Sequence, residues 1–86
     1  MNYQTKVKKH FQERGYKVIK LIRLSENGYP DLMLMRNGRV SFVECKEASD
    51  TLKPLQKLRI DQLIADGFAA CCMQDGRGII YGKAVL

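Results

Sequence analysis

The sequence predicts a mixed α/β fold with elements in the order αβββαββ. Three observations carry that prediction. Two stretches place apolar residues at helical spacing, Asn37-Gly38 sits between two strand-like runs, and a further pair of such runs brackets residues 75–78, DGRG. A first helix is predicted over residues 3–14: Tyr3, Val7 and Phe11, with Gln4 at the edge, share one side, while Lys6, Lys9 and Glu13 lie opposite. Gly15 is placed to stop it. Residues 16–24, YKVIKLIRL, are rich in β-branched and aromatic side chains and are predicted as a strand, broken by SENG. DLMLMR and RVSFVECK then flank Asn37-Gly38, the strongest short-range signal for a two-residue type I′ hairpin. Pro54 suits the first turn of a second helix running to about Asp66, with Gly67 as its stop. Two short strands, FAACCMQ and GIIYGKAVL, complete the order.

At 86 residues the chain is expected to be one domain. Folding at that size buries roughly 60–65% of the unfolded chain's surface, so stability should be modest. A composition of 45% hydrophobic and 28% charged residues is that of a globular chain. The net charge of +6 favours a polyanionic partner such as nucleic acid, with simple solubility as the competing explanation. Three cysteines, two of them adjacent at Cys71 and Cys72, have no metal-ligand spacing and no even disulfide count, which points to a reducing cytoplasm. The polar N-terminus has no signal-like apolar run, and no segment approaches the roughly 18 apolar residues of a membrane span.

The hairpin raises a question of charge. If Asn37-Gly38 is the turn, Arg36 pairs with Arg39 and every further pair has residue numbers summing to 75. Asp31 and Glu44 satisfy that sum, so they face each other on one side of the sheet, with Cβ atoms about 4.5–5.5 Å apart. Lys46 lies two residues on and shares that face. Two like charges so close destabilise a sheet unless a cation lies between them or one carboxyl is protonated. A divalent metal is the simpler solution, since Mg²⁺ is commonly held by one or two carboxylates, waters and substrate phosphate oxygens. Turn chemistry at Pro30-Asp31 and a solvated Glu-x-Lys face are the bland alternatives. By average residue usage, however, Pro-Asp followed within a dozen residues by Glu-x-Lys arises by chance in only about 1–2% of chains this long.

At these residues the sequence resembles the PD-(D/E)xK nuclease superfamily, with Pro30-Asp31 as the PD and Glu44-Cys45-Lys46 as the ExK. It is most similar to the VRR-NUC domain, the virus-type replication and repair nuclease found in phage proteins and in larger eukaryotic repair nucleases. The resemblance includes Arg14-Gly15 closing the first helix, GYPD at 28–31, GRVSFVECK at 38–46 and TLKPLQKLRIDQLIADGF at 51–68, nearly the whole chain. It implies a restriction-endonuclease-like fold, a mixed central sheet flanked by helices, in a single domain over residues 1–86. It also implies that Asp31 and Glu44 ligate Mg²⁺ or Mn²⁺ and that the Cys45 backbone carbonyl adds a ligand. Lys46 would position or activate the attacking water and stabilise charge on the phosphate. The Cys45 thiol would point to the opposite face as filler.

Gln56 falls on a helical wheel with Ile60, Leu63 and Ile64, the stripe expected to face the sheet. Related nucleases carry a Gln there, which implies a role in holding water, the metal shell or phosphate. A buried glutamine satisfying backbone groups is the alternative. Leu55 and Leu58 leave that stripe and form a second apolar side, for a dimer contact or for covering a loop. Many relatives have a Glu in the first helix where Gln4 stands here, and a neutral amide is a poorer ligand for a hard dication. That favours one metal over two, with a shifted alignment or a partner subunit's Glu left open. Lys53 precedes Pro54 where relatives often have a Ser N-cap, at a cost of about 1 kcal/mol. Lys53, Lys57 and Lys8 are the candidate phosphate contacts, and Tyr29 is placed to stack on a base or to pack. His10 has no motif partner and is expected to be structural.

No base-reading motif is visible, so DNA shape rather than sequence is the expected specificity. The expectation is a Mg²⁺- or Mn²⁺-dependent endonuclease acting on branched or junction DNA, as a homodimer in a bacterial cytoplasm, within phage-type replication, recombination or repair. Neither a membrane nor a small-molecule cofactor is expected. The alternative is a catalytically weak or inactive nucleic-acid binding module, or a subunit of a larger assembly.

Overall fold

The computed structural model describes residues 1–85. Helix α1 spans Tyr3–Gln12, with Asn2 as its cap: the Asn2 Oδ1 accepts the Thr5 N–H at 2.9 Å. Strands β1 (Lys17–Lys20), β2 (Leu32–Arg36) and β3 (Arg39–Lys46) follow, then α2 (Pro54–Ala65), β4 (Ala69–Gln74) and β5 (Gly78–Gly82). The order αβββαββ is as predicted. The strands form one mixed sheet in the order β1-β2-β3-β4-β5; β3 and β4 are parallel, with α2 as their crossover, and the other pairs are antiparallel.

The hairpin register is the one that a two-residue turn dictates. Arg36 lies opposite Arg39 and Leu32 opposite Val43, and Asn37 and Gly38 both have positive φ (53° and 75°), as a type I′ turn requires. Alternation along β3 then divides its side chains between two layers. Val43 joins Val7, Phe11, Val18, Leu32, Leu34 and Cys71 in the core under α1, and half-buried Cys45 packs against the same cluster. Ile60 and Leu63 of α2 pack with Ala70 and Cys72 on the other face, where Phe42 is half-buried and Glu44 and Lys46 are buried. The helices therefore cover opposite faces, and the charged residues of β3 lie beneath α2.

Several predicted boundaries were too long. The first helix stops at Gln12, two residues short. The strand predicted over residues 16–24 ends at Lys20, whose partner Leu32 is the first residue of β2. Beyond that rung there is no strand left to pair with; the Leu21 N–H donates to the Asp31 carbonyl at 2.7 Å, and Ile22 (82% exposed) and Leu24 leave the core. β-Branched composition alone could not reveal that missing partner. The last strand, predicted to reach Leu86, ends at Gly82, where φ is 92° and the following Lys83 N–H turns back to the Ala70 carbonyl; Leu86 lies outside the described residues.

Candidate active site

Asp31 stands one residue before β2, behind buried Pro30, with its carbonyl fixed by Leu21. The ladder stops at Leu32 opposite Val43, so Asp31 is freed from strand pairing, and its Oδ2 accepts the Cys45 N–H at 3.0 Å. Glu44, only 4% exposed, lies on β3 beneath α2. Gln56, in the first turn of α2, donates from Nε2 to Glu44 Oε2 at 3.0 Å and accepts the Lys53 N–H on Oε1 at 2.9 Å. Those two bonds fix which way the amide points. They also supply the glutamine half of a capping box, so the backbone N–H of Lys53 is satisfied although Lys53 caps nothing with its own side chain. Lys46, 5% exposed, places Nζ 3.4 Å from Glu44 Oε2 and 3.5 Å from Asp50 Oδ2.

The electrostatics of this group are unbalanced. The Glu44 carboxyl is pushed up to about 7, first by burial and then by the charge of Asp31, with Lys46 opposing in part. Glu44 Oε1 is buried and has no hydrogen-bond partner, and it stands alone in that among the described residues. An orphaned carboxylate oxygen beside a second carboxylate is a donor set that suits a hard divalent cation. Among the described residues no group of three or more His, Cys, Asp and Glu side chains is placed to hold a metal, so a cation here would complete its shell with backbone, water or substrate oxygens. The cysteine thiols contribute no ligand chemistry: burial raises the Cys45 thiol strongly and pushes Cys71 up to about 11 and Cys72 up to about 12.

The other predicted residues are dispersed. Half-buried Gln4 and Lys8 lie on α1, the helix over the opposite face, and Gln4 makes no hydrogen bond to Asp31 or Glu44. Lys53 is exposed beside Gln56 at the start of α2. Lys57 leans toward β5, its Nζ 5.8 Å over the Tyr81 ring. Tyr29 has one ring face covered by the Arg59 guanidinium at 4.8 Å, and its hydroxyl donates to Glu26 at 3.4 Å. Leu55 is 41% exposed and abuts Gly28 of the β1–β2 loop, while Leu58 is 47% exposed. A concavity of about 700 Å³ excludes all of these residues; it lies at the hairpin end of the sheet, lined by Arg36, Arg39, Ser41, Ala69 and Lys83 among others.

Two residues of the site escaped sequence reasoning. Asp50 lies four residues after Lys46, a spacing that could have suggested a contact. Gln74, buried at the end of β4, left no local signal, because it meets Lys46 only through the parallel pairing of β3 and β4.

Comparison with known proteins agrees with this fold. A model of the VRR-NUC domain matches residues 2–74. Among solved structures, Hjc, a Holliday junction resolvase from the archaeal hyperthermophile Archaeoglobus fulgidus, is similar in fold, with a TM-score of 0.66 at 12% sequence identity. The match covers 84% of this chain and 64% of that one, so the chain spans somewhat under two thirds of the resolvase's length. A search of curated protein sequences found no match. Among the described residues, no helix is long and apolar enough to cross a membrane.

Proposed function

The chain belongs to the VRR-NUC domain family, a family of nucleases, and from that premise we propose that it is a metal-dependent, structure-selective DNA endonuclease. The observation that carries the reading is Glu44: a buried carboxylate with one oxygen unpartnered, a second carboxylate beside it and a buried lysine within reach. Asp31, Glu44 and the Cys45 carbonyl would hold one Mg²⁺ or Mn²⁺. When bound, that ion would supply Lewis acidity, making hydroxide available near neutral pH and neutralising charge on the phosphate.

The remaining work belongs to the chain's own groups. Gln56 fixes Glu44 Oε2 by its 3.0 Å bond and leaves Oε1 for the cation. The Cys45 N–H holds Asp31 so that its carboxylate stays at the strand end, where water and substrate can reach it. The Lys46 ammonium stands 3.4 Å from Glu44 Oε2, placed to orient water and to stabilise the negative charge that develops on the phosphoryl oxygens. Lys53 and Lys57, at the same end of α2, would contact flanking phosphates.

Branched DNA is the substrate class that the fold likeness to a junction resolvase favours. Symmetric cutting of such DNA needs two active sites, so a homodimer is part of the proposal, with exposed Leu55 and Leu58 as its candidate contact. A role in phage-type replication, recombination or repair is the matching context. The test is cleavage of labelled duplex, single-stranded, flap, fork and four-way-junction DNA with Mg²⁺ or Mn²⁺, beside Glu44→Ala and Lys46→Ala. Metal-dependent cutting of branched DNA, lost in both variants, is expected. Intact binding with no cutting by the unaltered protein would instead favour a binding module, a reading kept open by the neutral Gln4.

A further inference from the structure

Lys46 has two carboxylate partners, and the second is held in place from beneath by a buried glutamine. Asp50 lies in the segment joining β3 to α2 and its side chain is 53% exposed, so packing does not fix it. Hydrogen bonds do. Gln74, 5% exposed, sits beside Lys46 in the parallel register and donates from Nε2 to the carbonyls of Asp50 at 2.7 Å, Glu47 at 3.1 Å and Ala48 at 3.4 Å. Two amide hydrogens thus serve three loop carbonyls. The Asp75 N–H ties the Lys46 carbonyl at 2.9 Å, holding the strand end to the same support. Asp50 uses Oδ1 to accept the Thr51 N–H at 2.8 Å, which turns Oδ2 toward Lys46.

This arrangement bears on what happens when Glu44 is engaged. A buried ammonium is tolerated only with a counter-ion, and Glu44 cannot neutralise Lys46 and a divalent cation in full at once. With Glu44 as sole partner, Lys46 would compete with the cation for the single charge of Glu44, and once the cation was bound it would be repelled from the site. A second carboxylate within 3.5 Å of the ammonium removes both difficulties. We propose that Asp50 is the positioning residue that keeps Lys46 at the reacting phosphate while Glu44 serves the cation, and that Gln74 is the clamp that presents Asp50. The proposal rests on the metal-dependent reading of the site given above.

The test measures Mn²⁺ binding by the protein alone, followed by electron paramagnetic resonance of the free ion, for the unaltered protein, Asp50→Asn, Asp50→Glu, Gln74→Met, Lys46→Met and Lys46→Met with Asp50→Asn. Asp50→Asn should weaken Mn²⁺ binding about tenfold, Asp50→Glu should restore most of it, and Gln74→Met should fall between. In the Lys46→Met background the Asp50→Asn change should have almost no effect, because its influence passes through the ammonium. On saturating DNA, Asp50→Asn should lower kcat about tenfold and leave KM within about twofold. An equal loss in both backgrounds would make Asp50 a direct influence on the cation and overturn the proposal. Unchanged Mn²⁺ binding and kcat in Asp50→Asn would overturn it too. Failure of the unaltered protein to bind Mn²⁺ at all would remove the metal-dependent reading itself, a result distinct from either of these.

Discussion

Val43 and Glu44 are neighbours on β3 and almost equally buried, at 0% and 4% exposure, yet they face opposite environments. Val43 looks into the apolar cluster beneath α1, among two leucines, two valines and Phe11. Glu44 looks toward α2, where one oxygen is bonded to Gln56 and approached by Lys46 and the other has no partner. The same degree of burial therefore stabilises at one residue and destabilises at the next. The difference shows how a small sheet can hold a charged centre: alternation places it one residue from the densest packing without exposing either to the other.

The largest expected effect comes from the costly side of that comparison. Glu44→Gln should lower metal-dependent cleavage by at least about a thousandfold while the protein stays folded, as activity assays and circular dichroism together would reveal. Retained cleavage would mean that Glu44 is only a buried acid.

The same residue should make stability depend on pH. Its folded value of about 7 lies above the 4.5 of an ordinary glutamate, so the folded chain binds more protons than the unfolded chain between those limits. Its contribution is present in full below pH 4.5 and is lost as pH rises through about 7, to a total of order 2 kcal/mol in metal-free buffer. Urea midpoints of wild type and Glu44→Gln at pH 4.5 and pH 8 would measure this: the difference between the two proteins should change with pH, and added Mg²⁺ should restore wild type at pH 8. A pH-independent difference would break the comparison.

Val43→Ala is the counterpart on the other face, with an expected loss of roughly 2 kcal/mol and unchanged cleavage per folded molecule. The smallest effect is expected at Lys53. Because the Lys53 side chain caps nothing, Lys53→Ser should gain about 1 kcal/mol in thermal stability through a hydroxyl that accepts a first-turn N–H. It should also reduce the salt slope of DNA binding by about one phosphate contact.

What sequence alone could reveal followed the range of the interactions. The hairpin register was legible because a two-residue turn sets every rung, and the match of Leu32 to Val43 follows from Asn37-Gly38. Gln56 was legible because one helical wheel places it beside Ile60 and Leu63, and the structure brings its amide to Glu44. The end of β1 was not legible, since it depends on where β2 begins across the β1–β2 loop. The Gln74 clamp was hidden for the same reason, because parallel pairing joins residues 28 positions apart. For Tyr29 the sequence leaves stacking on a base and packing both open, because the guanidinium over its ring comes from α2, far along the chain.

The short bond from Leu21 to the Asp31 carbonyl has a consequence for how such a domain can diversify. It closes residues 22–30 at their base, so Asp31 keeps this tie to the end of β1 whatever the exposed stretch 22–25 does. Lengthening a closed loop twofold costs only about 0.6 kcal/mol, and exposed Ile22 and Leu24 contribute no core packing that an insertion would disturb. That segment can therefore be exchanged like an adaptor on a fixed socket: variants with longer or recharged loops could acquire new substrate preferences while the aspartate remains where the chemistry needs it.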